Sequence, residues 1–113
     1  MEPHKAPYIA EIAHTLEADQ KAVGGLIEPI YNGDGTCLVG NEEAKLIGME
    51  GNRHLDDGHS IIAGPFFVCG LTGDDFRGLT DEEMMKYMDR FAEPEDISQD
   101  EVQADAGFTI YTM

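Results

Sequence analysis

A chain of 113 residues suits one compact domain and leaves little room for two. Asp and Glu total 23 against 7 Lys and Arg, a formal net charge of -16, which disfavours direct nucleic-acid binding through a basic footprint and adhesion to anionic membranes. Hydrophobic residues at 42% supply a real core and argue against disorder throughout.

The same field favours basic protein surfaces and speeds association with them, although high charge also serves plain solubility. No run approaches the ~18 apolar residues of a membrane helix, and Met1-Glu2-Pro3-His4-Lys5 opens no apolar secretory leader. Cys37 and Cys69 each lie in an apolar run and read as buried structural thiols, not as a disulfide framework. A cytoplasmic location is expected.

Residues 1–7 contain Pro3 and Pro7 and read as a loose arm or a short entry strand. Ile9, Ile12, Leu16 and Val23 recur at helical spacing and predict a helix, most secure from Thr15, its N-cap, to Val23. Gly24-Gly25 ends it through a left-handed turn. Leu26 to Tyr31 is a short β-run whose Pro29 removes a ladder donor, which suits an edge strand or a bulge. Asn32-Gly33-Asp34-Gly35 turns the chain into a second strand over Thr36 to Val39, making a hairpin. Gly40 to Glu43 is expected to turn into a short helix through Ala44, Lys45 and Leu46, capped by Asn41. Residues 48–59 are glycine-rich and polar and read as a loop.

Ser60 to Leu71 is the most apolar segment, a buried strand bent or interrupted at Gly64-Pro65. A polar turn over Thr72 to Asp75 follows. Leu79 to Phe91 is the clearest element: Thr80 and Glu83 make a capping box, Leu79 and Met84 staple across it, and Met84, Met88 and Phe91 share one stripe. Pro94 stops this helix. Residues 93–105 carry acids and no base, which fits a solvated linker, a marginal helix or a disordered tract. Phe108 to Met113 alternates and predicts a short last strand. The fold expected is α+β, a small, mainly antiparallel sheet packed by two helices. One domain is read over residues 1–92, with an acidic C-terminal extension over 93–113.

No recognised catalytic or phosphate-binding motif is present. Gly33-Asp34-Gly35 lacks the further glycines and the strand-to-helix setting of a dinucleotide loop and reads as a hairpin turn. Either cysteine beside His4, His14, His54 or His59 would form a nucleophile pair, but apolar surroundings and a negative field oppose the thiolate. His54-Leu55-Asp56-Asp57-Gly58-His59 gathers ligand types that suit zinc. A polar, solvated loop is the plainer reading there, and no metal, cofactor or enzymatic activity is expected. Met84, Met85 and Met88 offer an adaptable partner face or, more commonly, ordinary core packing.

Between Asp74 and Asp105, twelve acids stand against three bases. The candidate partner-binding acids are Asp74, Asp75, Asp81, Glu82, Glu83, Asp89, Glu93, Glu95, Asp96, Asp100 and Glu101. A solvated helix face with a flexible tail accounts for them without function. A surface that imitates nucleic-acid phosphates for a basic groove accounts for them too.

Four motifs occur in order: Leu16 to Glu28, with Val23-Gly24-Gly25 at its centre; Asn41-Glu42-Glu43-Ala44-Lys45-Leu46; Gly51-Asn52-Arg53; and Ile61-Ile62-Ala63-Gly64. The series resembles an uncharacterised domain family of phages and mobile elements, mainly of Gram-positive bacteria, over about residues 7–92. The motifs mark the family and carry no known chemistry. Ala44 stands where the family usually has glycine, so a special backbone conformation there would be lost and the local turn would differ.

A mobile-element context combined with a charge of -16 makes an inhibitor of a host defence nuclease the leading expectation. Its partner would be a basic nucleic-acid-binding effector, such as a CRISPR effector or a restriction enzyme. The alternative is a small-ligand or signalling-nucleotide binder using Asn41, Glu42, Lys45, Asn52, Arg53 and His54, of which Asn41, Asn52 and Arg53 equally read as turn-fixing and pairing groups. A third reading is a protein–protein adaptor working through the methionine-rich helix. The oligomeric state is left open.

Overall fold

The computed structural model describes residues 1–12, 15–55, 60–73 and 75–105. Thr15, in extended conformation, accepts the Ala18 N–H on its hydroxyl at 3.1 Å and opens α1 (Leu16–Val23). Gly24 closes it in the left-handed region at φ 77°, a conformation open to glycine at little cost. The stretch from Ile9 to Ile12 is not helical; its spacing alone, with no cap before Thr15, does not nucleate a turn.

β1 (Ile27–Tyr31) and β2 (Thr36–Asn41) form the expected hairpin, with Ile30 opposite Leu38. The Ser60–Leu71 segment is interrupted as its Gly-Pro pair implies, giving β4 (Ile61–Ala63) and β5 (Phe67–Thr72) in different sheets. Gly64 makes the break at φ 71°, and a Cβ there would lie 2.5 Å from the Met49 sulfur. β5 returns to β2 and turns into β6 (Asp75–Arg77), so one antiparallel sheet runs β1-β2-β5-β6. Pro29 sits on the outer strand β1, where a missing N–H does least harm.

Two expectations are corrected. Residues 42–48 form successive turns instead of a helix from Ala44 to Leu46, and Asn41 ends β2. Its Oδ1 accepts the Glu43 N–H at 2.8 Å, a local bond that competes with helix formation. Ala44 needs no left-handed conformation; its side chain is buried in the core. The 48–59 loop contains a buried strand, β3 (Gly51–His54), which pairs with β4 in a second, two-stranded sheet.

The capping box of α2 (Asp81–Arg90) forms as read, with Glu83 N–H on Thr80 Oγ1 at 3.2 Å and Thr80 N–H on Glu83 Oε1 at 2.9 Å. Its inward stripe is shifted by a position: Tyr87 and Phe91 are buried, while Met84 and Met88 are half-buried and Met85 is exposed. Residues after Phe91 run on to a third helix, α3 (Gln99–Asp105). The expected strand at 108–113 lies outside the described residues.

Among the described residues, three apolar clusters hold this α+β arrangement. Leu38, Ile62, Phe66, Tyr87 and Phe91 lie between α2 and the sheets, with the Phe66 and Phe91 rings edge-to-face at 5.4 Å. Cys37, Val39 and Cys69 fill the opposite face of the large sheet. Ala44, Ile61, Ala63, Ile97 and Val102 form the third, so α3 and the segment before it pack onto the small sheet.

Candidate functional site

The acidic residues divide by what they touch. Arg77 donates to both Glu83 oxygens, at 2.7 and 3.0 Å, and this pairing with the Thr80 N–H bond holds the Glu83 carboxyl down to about 2. Glu95 and Glu101 meet His54, at 2.5 Å on Nδ1 and 2.9 Å on Nε2 respectively. Asp105 pairs with Lys45 and accepts the Ile61 N–H at 3.1 Å. By contrast Asp81, Glu82, Asp89, Glu93, Asp96 and Asp100 are exposed and make no hydrogen bond or ion pair with another described residue. Asp75 is exposed but engaged, and Asp74 lies outside the described residues. The ten described acids of the eleven read from sequence as one surface are therefore not one set: some are held by partners within the protein, and six face water without one.

The polar residues proposed for a small-ligand pocket do not converge. Arg53 is fully buried and every nitrogen of its guanidinium donates: Nε and Nη2 to the Phe91 carbonyl, Nη1 to the Asn52 carbonyl and Oδ1, Nη2 also to the Lys5 carbonyl. Asn52, also fully buried, donates to the carbonyls of Met1 and Gly64. These two residues tie the N-terminal arm, the Gly64 bend and the end of α2 to β3. Their side-chain N–H groups are thereby taken by the protein itself.

His54, at the end of β3, holds α3 and its lead-in through Glu101 and Glu95. Hydrogen bonds to those carboxylates, Glu101 first, raise its pKa above the ordinary 6.5. Both ring nitrogens are taken by carboxylates, and no group of three or more metal-ligating side chains occurs among the described residues. Asp56, Asp57, His59 and His14 lie outside them.

Asn41, Glu42 and Lys45 do share a cavity of about 320 Å³, between the 42–48 turns and β4. Asn41 is nevertheless committed to the Val23 carbonyl and the Glu43 N–H, and Lys45 to Asp105.

A cluster not singled out from sequence joins the β1–β2 turn to α2. Asp34 Oδ2 accepts from Lys86 Nζ and Tyr87 Oη, each at 2.7 Å, while its Oδ1 takes the Thr36 N–H at 3.1 Å and the Thr36 hydroxyl. Despite the desolvation that opposes it, this set of donors, Lys86 foremost, holds the Asp34 carboxyl well below the usual range. The Asn-Gly-Asp-Gly turn was legible; its reach to residues fifty positions away was not.

An apolar concavity lies elsewhere, at the free side of β5. It has a volume of about 330 Å³ and walls that include Phe67, Cys69, Phe76, Leu79, Met84 and Met88, with residues of the 7–12 segment along its rim. Cys69 and Cys37 are both free and buried, direct partners across β2 and β5 with sulfurs 3.5 Å apart. The neighbouring Cys37 thiol, and then burial, push the Cys69 thiol up.

No helix among the described residues is long and apolar enough to cross a membrane. No curated protein and no solved structure matches the chain. The family described as "Domain of unknown function (DUF3846)" matches residues 1–92, well over half of the 113, and the chain belongs to that family.

Proposed function

We propose that this protein binds a basic protein surface through the outward face of α2 and the segment that follows it, as an inhibitor of a nucleic-acid-binding host defence effector in a phage or mobile-element setting. One observation carries the reading: Asp81, Glu82, Asp89, Glu93, Asp96 and Asp100 are exposed and make no contact with a cation among the described residues, while the fold's internal pairs use other acids. A net charge of -16 leaves this face without long-range compensation. Carboxylates spaced along a helix and its extension offer a Lys/Arg-lined groove what a phosphate backbone offers it, and binding there excludes nucleic acid. The chemistry is occupation, not catalysis.

The test exchanges all six carboxylates for amides. The fold should survive, because none of the six holds an internal bond. Capture of basic nucleic-acid-binding proteins from a host lysate should fall by at least roughly tenfold, and capture by the unaltered protein should weaken steeply from low to high salt. Undiminished capture by the six-amide variant would sink the proposal.

A further inference from the structure

We infer that the apolar groove beside β5 is a binding site for a short, neutral, peptide-like molecule that adds one residue as a rung to the free side of that strand. Strand parity sets the direction of each backbone group along β5. Leu71 N–H donates to the Gly35 carbonyl at 2.8 Å, toward β2. Alternation along a strand then directs the backbone groups of Cys69 and Phe67 toward β2 as well, and those of Phe66, Val68 and Gly70 to the other side.

On that other side Phe66 exchanges bonds with Met1, at 2.9 Å to the Met1 carbonyl and 2.6 Å from its amino group. Gly70 pairs with Arg77 of β6. Val68, between them, has no counterpart: β6 ends at Arg77, and no described residue outside the sheet donates to or accepts from the Val68 backbone. One N–H and one C=O thus open into the groove, of which Val68 is itself a wall.

Everything else about the groove selects the occupant. Its volume of about 330 Å³ falls at the small end of ligand sites, its wall is mostly aromatic and aliphatic, and three half-buried methionines, Met1, Met84 and Met88, line it. The Met1–Phe66 and Arg77–Gly70 rungs close both ends, so a long strand does not fit and a single residue does. The groove's wall carries one acid, Asp19, and one arginine, Arg77, and the net charge of -16 disfavours an anionic ligand. Residues 7–12 have no backbone hydrogen bond to another described residue, and Tyr8 and Ile9 are 57% and 67% exposed. This segment is placed to fold over an occupant as its cover.

N-acetyl-leucine N-methylamide is a suitable probe, since its acetyl-amide N–H and its own carbonyl match the Val68 C=O and N–H. Titration into the full chain, followed by amide and methyl NMR, should give saturable shifts confined to Phe66–Gly70, residues 76–79 and the Met84 and Met88 methyls. O-acetyl-leucic acid N-methylamide, with oxygen in place of that N–H, should bind roughly fivefold more weakly. Equal affinity of the two, or no saturable shift, overturns the proposal. So does slow exchange of the Val68 amide together with those of residues 9–11 in the free protein, because the 7–12 segment would then itself be the rung.

Discussion

Replacing Arg53 by methionine tests whether a buried guanidinium is the hub of this fold. The change keeps an unbranched side chain of similar reach and removes every donor. The Phe91 carbonyl, which takes two of the bonds, and Asn52 Oδ1, held at 2.7 Å, are then left without their donor inside the protein. An orphaned buried acceptor costs about 1–3 kcal/mol, so the pair costs about 2–6 kcal/mol. Relief from burying a charge offsets part of this. A net loss of about 3 kcal/mol results, a large share of the ~5–15 kcal/mol that a domain usually has. With a urea slope of about 1.5 kcal/mol/M for a small domain, the unfolding midpoint should fall by about 2 M at unchanged slope. Arg53→Lys should recover less than half, since an ammonium cannot reproduce the planar fork that meets Phe91, Asn52 and Lys5 together. A midpoint shift below about 0.5 M for Arg53→Met would refute the reasoning.

Thr80→Ala removes the hydroxyl that accepts the Glu83 N–H and should cost about 1 kcal/mol in chemical denaturation. The His54 bridge should depend on pH with a defined sign. Its pKa is raised in the folded protein, so its contribution is complete below the ordinary value of 6.5 and is lost as pH rises through the folded value. Hydrogen exchange corrected for intrinsic rates should therefore show residues 97–105 loosening as the solution is made alkaline, and His54→Gln should remove that dependence. Truncation after residue 92 removes Ile97 and Val102, both buried. Two such side chains contribute about 1.5–3 kcal/mol each, so the shortened chain should unfold at clearly lower urea and bind an apolar dye; unchanged stability would show that the third cluster contributes little.

The parts of the fold legible in the sequence are those written in local chemistry. Thr80-x-x-Glu83, Thr15 with Gly24, the Asn32–Gly35 turn and the Gly64-Pro65 break each act within a few residues, and each falls where its pattern placed it. β3 was not legible because Gly51-Asn52-Arg53-His54 has no alternation and no β-branched residue. It is a strand because distant carbonyls at Phe91, Lys5, Met1 and Gly64 satisfy its polar side chains, and no local rule announces them. The same reason divided the candidate sites. Asn52 and Arg53 are polar residues of a kind that lines pockets, yet their partners bury them. Glu83, Glu95 and Glu101 belong to an acidic run whose charge is visible in sequence, while the cations they meet are visible only in three dimensions.

That division bears on how the proposed surface arises. A helix with acids in its first turn complements its own dipole, and Glu83 turns that preference into a cap and an Arg77 pair. Asp81 and Glu82, in the same turn, are left pointing to water. After the helix, Glu95 and Glu101 clamp His54 while Ile97 and Val102 anchor the segment in the core. Glu93, Asp96 and Asp100 are interleaved with these anchors and exposed. A flexible acidic tail would have to be ordered when a partner binds, at a conformational cost that weakens association. Here the anchors have already placed the carboxylates, so the basic groove we propose as partner would meet a fixed array. On that proposal the internal pairs hold the outward acids in place, and loosening the His54 bridge should weaken partner binding without removing a single exposed charge.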